Sequence, residues 1–243
     1  MKYLLFLDYD GTLTPIVSKP SLANLSAARK KSLQQLARSP DIRIAIVSGR
    51  LLADVRKKVG IPNIFYAGNH GFEISGPGTN IIHPKARTAK PVMRKIKKEL
   101  ATRLKSIKGV IVEDKVLTLS LHYRLVRKQD LKKVARIFFR TVEPYLHAKK
   151  IRITSGKKVF EVRPNVAWDK GKAVLWLMKK LGQGKKFTPV YIGDDRTDED
   201  AFQVLKKRGL SVRVGRTKKT CARRQLKDVN AVYRFLGRIF EQL

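Results

Sequence analysis

Acidic side chains are in short supply in this 243-residue chain: 19 Asp and Glu stand against 54 Lys and Arg, for a formal net charge of +35. Cysteine is scarcer still. Cys221, the one example, excludes an internal disulfide framework, and no Cys/His spacing suits zinc, so a reducing, cytoplasmic setting is expected. Long apolar runs are missing too, since no stretch approaches the roughly 20 residues that a bilayer-spanning helix requires. The run in "MKYLLFLDYD" stops at Asp8 with no small-residue cleavage site, so it reads as a strand and not as a signal peptide. Neither a fixed-period repeat nor a low-complexity linker is present. These absences predict a soluble protein with no membrane partner, a monomer is the expectation carried alongside, and 43% hydrophobic content is ample for a buried core.

What is present is an alternation of strand and helix patterns. "YLLFLDY" is a continuous apolar run suited to a strand buried on both faces. "SLANLSAARKKSLQQLA" has helical spacing at Leu22, Leu25, Leu33 and Leu36, and "IRIAIVSG" is strand again. "LLADVRKKVG" reads as a short helix closed by Gly60, and "IFYAGNHG" as a strand running into a Gly-bounded turn. From about Pro84 to Pro164 the order becomes helix, two strands, helix, two strands, which predicts a small open sheet with helices on one face. The first pattern resumes at Lys170 with a helix, the strand "PVYIGDD", the helix "DEDAFQVLKKRG", the strand "LSVRVG" and a terminal helix from about Ala231. The expected fold class is α/β: a Rossmann-like parallel-sheet core, residues 1–83 and 165–243, with an inserted α/β cap domain, residues 84–164.

In so basic a chain, two acidic clusters stand out. "FLDYDGTLTPI" sets Asp8 and Asp10 at the end of the first strand, and "GDDRTDED" packs five carboxylates into eight residues after "PVYI". An open parallel sheet binds ligands beyond the carboxyl ends of its strands, so Asp8, Asp10, Asp194 and Asp195 are expected to converge. Two unit charges about 4 Å apart repel by roughly 4 kcal/mol at an effective dielectric near 20, so such a site needs a cation. All-oxygen donors with no His or Cys at hand favour a hard divalent ion, Mg²⁺ above all, and carboxylates around Mg²⁺ point to phosphoryl chemistry. Taken singly, an Asp at a strand end, "SGR" at Ser48 or "DKG" at Asp169 is more often a plain turn or helix start. Their succession, each at the edge where ligands bind, makes chance a poor explanation.

That succession resembles the haloacid dehalogenase superfamily of phosphatases, whose four motifs match "DYDGT", Ser48 in "VSGR", Lys170 in "DKGK" and "GDDRTDED". "FLDYDGTLTPIV", "GNHGFEI", "LSLHYR", "KKVFEVRP" and "YIGDDRTDEDAF", spread from Phe6 to Phe202, resemble the trehalose-phosphate phosphatase family in particular. Phosphatases of sucrose phosphate or phosphoglycerate conjugates share the first motif but more often carry a different fourth one. The resemblance implies a haloacid dehalogenase-like fold and Mg²⁺-dependent hydrolysis of trehalose 6-phosphate through an aspartyl phosphate. It implies Asp8 as nucleophile, Asp10 as the group that protonates the departing sugar oxygen and then takes a proton from water, and Ser48 and Lys170 as phosphate partners. Mg²⁺ falls to the carboxylates of Asp8 and Asp194 and the backbone carbonyl of Asp10. Asp195 and Asp198 orient metal-bound water or Lys170, and Thr12 helps hold the phosphate. In the cap, the family's Glu-x-Lys and Glu-x-Arg-Pro patterns match Glu113, Lys115 and Glu161 as sugar contacts.

Other readings stay open on residues alone. Lys115 by itself reads more often as a solvated strand residue. Asn69, His70 and Glu73 reach a cleft or merely accompany a turn at Gly68 and Gly71; His70 is given no proton-transfer role, and Cys221 no role. The excess of Lys and Arg departs from the family pattern, leaving as alternatives a phosphatase of another sugar phosphate, or a polynucleotide-binding protein or end phosphatase. Nucleic acid is disfavoured, because basic helices such as "RKIKKELATRLKSIK" carry few interleaved aromatics and no RNA- or DNA-reading motif appears.

Overall fold

A computed structural model describes residues 1–182 and 187–241, which fall into two compact units, Met1–Ile81 with Trp168–Leu243, and Ile82–Ala167. The first unit opens with β1 (Tyr3–Leu7), α1 (Ala27–Arg38), β2 (Ile42–Val47), α2 (Leu52–Val59), β3 (Phe65–Gly68), β4 (Glu73–Gly76) and β5 (Thr79–Ile82). The second holds α3 (Pro84–Arg87), α4 (Lys90–Leu104), β6 (Ile111–Asp114), β7 (Leu119–His122), α5 (Leu131–His147), β8 (Ile151–Gly156) and β9 (Val159–Pro164). The chain then returns to the first with α6 (Lys170–Leu181), β10 (Thr188–Gly193), α7 (Glu199–Leu205), β11 (Leu210–Val214), β12 (Arg224–Leu226) and α8 (Val229–Glu241). Among the described residues no helix is long and apolar enough to cross a membrane.

Strands of the first unit form one sheet in the order β12-β11-β10-β1-β2-β3-β4-β5. From β12 to β3 they run parallel, and β4 turns back antiparallel to β3. The chain adds β2 and β3 on one side of β1 and, after its return, β10 to β12 on the other. The carboxyl end of β1 is therefore a switch point, where the crevice of such a sheet opens.

β1 explains its own unbroken apolar run. Tyr3, Leu5 and Leu7 face one core with Leu33 and Leu36 of α1, Val55 and Val59 of α2, and Val232 and Leu236 of α8. Leu4 and Phe6 face another with Val174 and Leu177 of α6 and Phe202 and Leu205 of α7. Both faces of the strand are thus dry, as side-chain alternation requires in a three-layer arrangement.

Two helix starts differ from the spacing of apolar residues. Leu22 lies exposed in a 3₁₀ turn, Pro20–Leu22, and α1 begins only after Ser26, whose hydroxyl accepts the Arg29 amide at 3.4 Å. Capping chemistry, which leucine spacing does not register, sets that boundary. At the other end α8 starts at Val229, and Asp228 accepts the Ala231 amide at 2.8 Å.

The second unit carries four antiparallel strands in the order β6-β7-β9-β8. Leu119, Leu121, Ile151 and Val162 of this sheet share one core with Met93, Ile96 and Leu100 of α4 and Val134, Phe138 and Val142 of α5. Alternation then puts polar residues on the other face. The register aligns them in one row, Glu113 opposite Ser120, Ser120 opposite Glu161, and Glu161 opposite Thr154.

Candidate active site

Asp8 follows β1 directly and keeps to the ladder, its amide donating to the Ile192 carbonyl at 3.0 Å. Lys170 is the first residue of α6, a helix capped by Asp169, which accepts the Lys172 amide at 2.8 Å. Gly171 lets that turn lie against α7, since a Cβ there would stand 2.4 Å from the Asp200 carbonyl oxygen. From this position the Lys170 ammonium donates to Asp8 Oδ1 and to Asp198 Oδ1, both at 2.7 Å. Asp198 also accepts the Tyr191 hydroxyl at 2.7 Å and the amides of Asp194 and Asp195 at 2.9 Å each. It thereby folds the loop after β10 into a tight turn that brings Asp194 back towards Asp8.

Carboxylate oxygens of Asp8, Asp194 and Asp198 lie within 4.8 Å of one another, and all three residues are buried. Gly11, at φ +82°, makes the approach possible, because a Cβ there would sit 2.1 Å from Asp194 Oδ2. Burial pushes the Asp8 carboxyl well above its usual range; Lys170 opposes the rise, and Asp198 and Asp194 add to it. For Lys170, burial pulls downward but Asp198 and Asp8 outweigh it and hold the ammonium well above its ordinary value. Burial would raise Asp198, yet Lys170, Tyr191 and the Asp195 amide bring it below the usual carboxylate value. Lys170 and Asp198 thus form a fixed, charge-balanced support, while Asp8 and Asp194 face each other with an excess of negative charge. An all-oxygen pair of this kind fits a hard divalent cation. With both its oxygens already engaged, Asp198 belongs behind that donor set.

Asp10 does not join the cluster with its carboxylate. The Arg50 guanidinium holds both oxygens, Nε to Oδ2 and Nη2 to Oδ1, each at 2.7 Å. Ser48 follows β2 directly, buried, with its amide on the Ala67 carbonyl at 2.8 Å, and its Oγ accepts the Arg50 amide at 3.2 Å. The buried Thr12 hydroxyl meets no hydrogen-bond partner among the described residues, an unusual state for a polar group shut away from water. Asp195 caps the short turn Arg196–Asp198 and takes an Arg213 hydrogen bond on its carbonyl at 3.1 Å; of the two acids, Asp198 is the one bonded to Lys170. Asn69 donates to Glu73 at 2.5 Å, and the His70 ring fills the place a Gly49 side chain would take. Gly71 is required by packing, since its Cβ would stand 2.3 Å from that of Ala173. Cys221 is exposed.

In the second unit the three sugar-contact candidates come together. Lys115 Nζ lies 3.3 Å from Glu161 Oε1 and 3.9 Å from Glu113 Oε2. Glu161 further accepts from Ser120 at 3.2 Å, Thr154 at 3.4 Å and Arg163 at 2.5 Å, and His122 Nε2 lies 2.7 Å from Glu113. The carboxylates of Glu113 and Glu161 are thus met by Lys115, Arg163 and His122 at one face of the sheet.

Sequence reasoning missed Arg50, Tyr191 and the partners of Glu161. Arg50 was in view as the third residue of "SGR", and a carboxylate given proton-transfer work called for a partner. Arg163 shares the two-residue period of its strand face with Glu161, which was the available signal; Ser120 lies on another strand, β7, within the quoted "LSLHYR".

The chain is 40% identical over 248 residues to a probable trehalose-phosphate phosphatase 4 of Oryza sativa subsp. japonica, covering 99% of this chain and 66% of that protein. Against a trehalose-phosphate phosphatase of Mycobacterium bovis the identity is 41% over 246 residues, 98% of this chain and 61% of the relative. The chain therefore spans about two thirds or less of the length of these curated relatives. The C-terminal domain of the Candida albicans trehalose-6-phosphate phosphatase superposes with a TM-score of 0.85 at 26% identity, covering 98% of this chain and 91% of that one. The fold is shared with a haloacid dehalogenase-like hydrolase of Bacteroides thetaiotaomicron, at a TM-score of 0.68 and 16% identity over 99% of this chain and 100% of that one, an α/β core with parallel strands at its centre. A family model described as trehalose-phosphatase matches residues 6–235, and the chain belongs to that family.

Proposed function

We propose that this protein is a Mg²⁺-dependent phosphatase that hydrolyses trehalose 6-phosphate to trehalose and inorganic phosphate. The observation that carries the reading is the buried Asp8, held at 2.7 Å by a Lys170 that is itself fixed by Asp198, with Asp10 two residues along. In the first half of the reaction an Asp8 oxygen bonds to phosphorus as the bond to the sugar oxygen breaks, and Asp10 gives that oxygen its proton. In the second half water adds to the phosphorus of the aspartyl phosphate and loses a proton to Asp10, and phosphate leaves with Asp8 restored. Lys170 offsets the negative charge that gathers between Asp8 and the phosphoryl oxygens, to which Ser48 and Thr12 donate their hydroxyls. The carboxylates of Asp8 and Asp194 and the backbone carbonyl of Asp10 would hold Mg²⁺, which would supply positive charge to offset the repulsion between the substrate anion and the carboxylates. Asp198, with Asp195 beside it, keeps Lys170 and Asp194 in place. Glu113, Lys115 and Glu161 take the sugar hydroxyls, and the second unit acts as the specificity-determining cap. A cytoplasmic monomer acting on a small-molecule substrate completes the reading.

The test is phosphate release from a panel of sugar phosphates and 5′- or 3′-phosphorylated oligonucleotides, with Mg²⁺ and with chelator. Trehalose 6-phosphate should give the highest kcat/KM, and chelator should abolish it. A higher kcat/KM on another sugar phosphate or on an oligonucleotide end overturns the substrate assignment.

A further inference from the structure

We infer that Arg50 is the positioning residue for Asp10, its guanidinium fixing the orientation of the carboxylate that handles the leaving-group proton. The inference rests on the phosphatase reading above. The guanidinium is buried, with 6% of the side chain exposed, and grips Asp10, whose side chain keeps 38% exposure. One side of the acid is thus locked while the other stays open, and each carboxylate oxygen retains a lone pair for a proton beyond the two that Arg50 occupies.

Arg50 is itself held on all sides. Nη1 donates to Asp54 at 2.7 Å and Nη2 to the Pro20 carbonyl at 2.8 Å, so four of its five donors are engaged. Its guanidinium carbon lies 5.2 Å from the centroid of Tyr9, the residue between the two acids, and the Tyr9 hydroxyl is anchored on the Ala23 carbonyl at 2.9 Å. Its backbone is pinned as well, the amide on Ser48 Oγ at 3.2 Å and the carbonyl on the Asn69 amide at 2.7 Å. A role as a staple for α2 needs only the Asp54 contact. It leaves unexplained why two parallel charged hydrogen bonds are made to one carboxylate, a geometry that fixes its rotation.

The experiment compares kcat/KM for trehalose 6-phosphate and for p-nitrophenyl phosphate in the wild type, Arg50→Lys and Asp54→Asn, with Mg²⁺ present. This ratio reports steps up to the first P–O cleavage, where the aryl oxide leaves without a proton and the sugar oxygen does not. Lysine keeps the charge but lacks the fork. Arg50→Lys should lower the sugar ester by about tenfold to a hundredfold, part of the roughly 10²–10⁴ that a placed general acid contributes. The aryl ester should fall by about threefold or less, and the loss should sit in kcat rather than KM. Asp54→Asn, which frees one anchor of the fork, should move the ratio in the same direction by a smaller factor. Equal losses on both esters in Arg50→Lys, or in Asp54→Asn if the first variant does not fold, overturn the inference. A wild type that hydrolyses neither ester overturns the phosphatase reading with it, whereas an active wild type with an unmoved ratio removes Arg50 alone.

Discussion

Asp198 is fully buried and accepts four hydrogen bonds, from Lys170, Tyr191 and two backbone amides, whereas Asp8 sits where burial and two other carboxylates oppose its charge. Replacing each by its amide should therefore have opposite effects on stability. In Asp198→Asn the new NH₂ faces donors, and a buried group left unsatisfied costs about 1–3 kcal/mol. Its thermal midpoint should fall and Lys170 should lose its alignment. Asp8→Asn keeps an oxygen for Lys170 while removing a disfavoured charge, so in chelator its midpoint should hold or rise. Turnover should vanish in this variant because the nucleophile is gone. Thermal scans in chelator and steady-state phosphate release check both; substantial turnover by Asp8→Asn sinks the mechanism, and a destabilised Asp8→Asn sinks the electrostatic account. Asp8, Lys170 and Asp194 were legible because each ends a strand or opens a helix. Arg50 and Tyr191 were not, since their roles arise from side chains that converge only once the sheet is formed.

Among the elements, those buried on both faces read most clearly. β1 is a continuous apolar run, and β2 is one but for Arg43, because helices cover both sides of the sheet, and such runs have no other ready reading. β4, β5 and β12 did not announce themselves. They are three or four residues long, and β5 and β12 lie half-buried or exposed at the sheet margins, so neither burial nor alternation marks them. Register was equally invisible: that Ser120 and Thr154 flank Glu161 follows from strand pairing, across 41 residues for Ser120 and across the β8–β9 hairpin for Thr154. The row they form makes a prediction at this scale. Glu161→Gln replaces one acceptor oxygen with a donor facing Arg163 or Lys115, and charge-assisted hydrogen bonds are worth roughly 1.5–3 kcal/mol each. The kcat/KM for trehalose 6-phosphate should drop by about tenfold to a hundredfold, with a smaller change for an aryl phosphate that has no sugar. An unchanged ratio of the two removes Glu161 from sugar recognition and leaves the Asp8 chemistry untouched.

Over the whole molecule the charge is unevenly divided. Residues 1–81 and 168–243 carry 30 Lys and Arg against 13 Asp and Glu, a net +17, while residues 82–167 carry 24 against 6, a net +18 in little more than half the length. Like charges at this density repel within the folded chain and draw in anions from outside it. Salt acts on both through one length, which shrinks from about 30 Å at 0.01 M to about 8 Å at 0.15 M. Raising NaCl across that range should raise the thermal midpoint, because repulsion is relieved, and should raise KM for the dianionic sugar phosphate, because attraction is weakened. The kcat should stay nearly constant, since Lys170 and its partners are buried at 2.7 Å contacts, which screening reaches far less than exposed charges. A nucleic-acid ligand would behave differently: its affinity falls by orders of magnitude over the same range, as a power of salt concentration set by the number of phosphates contacted. Thermal scans, steady-state kinetics and a labelled-oligonucleotide titration in the same buffers separate the cases. A midpoint and a KM both indifferent to salt would mean that the surface charge is neutralised locally, and selective oligonucleotide binding that survives 0.15 M salt would give the basic surface a partner that a sugar phosphatase does not require.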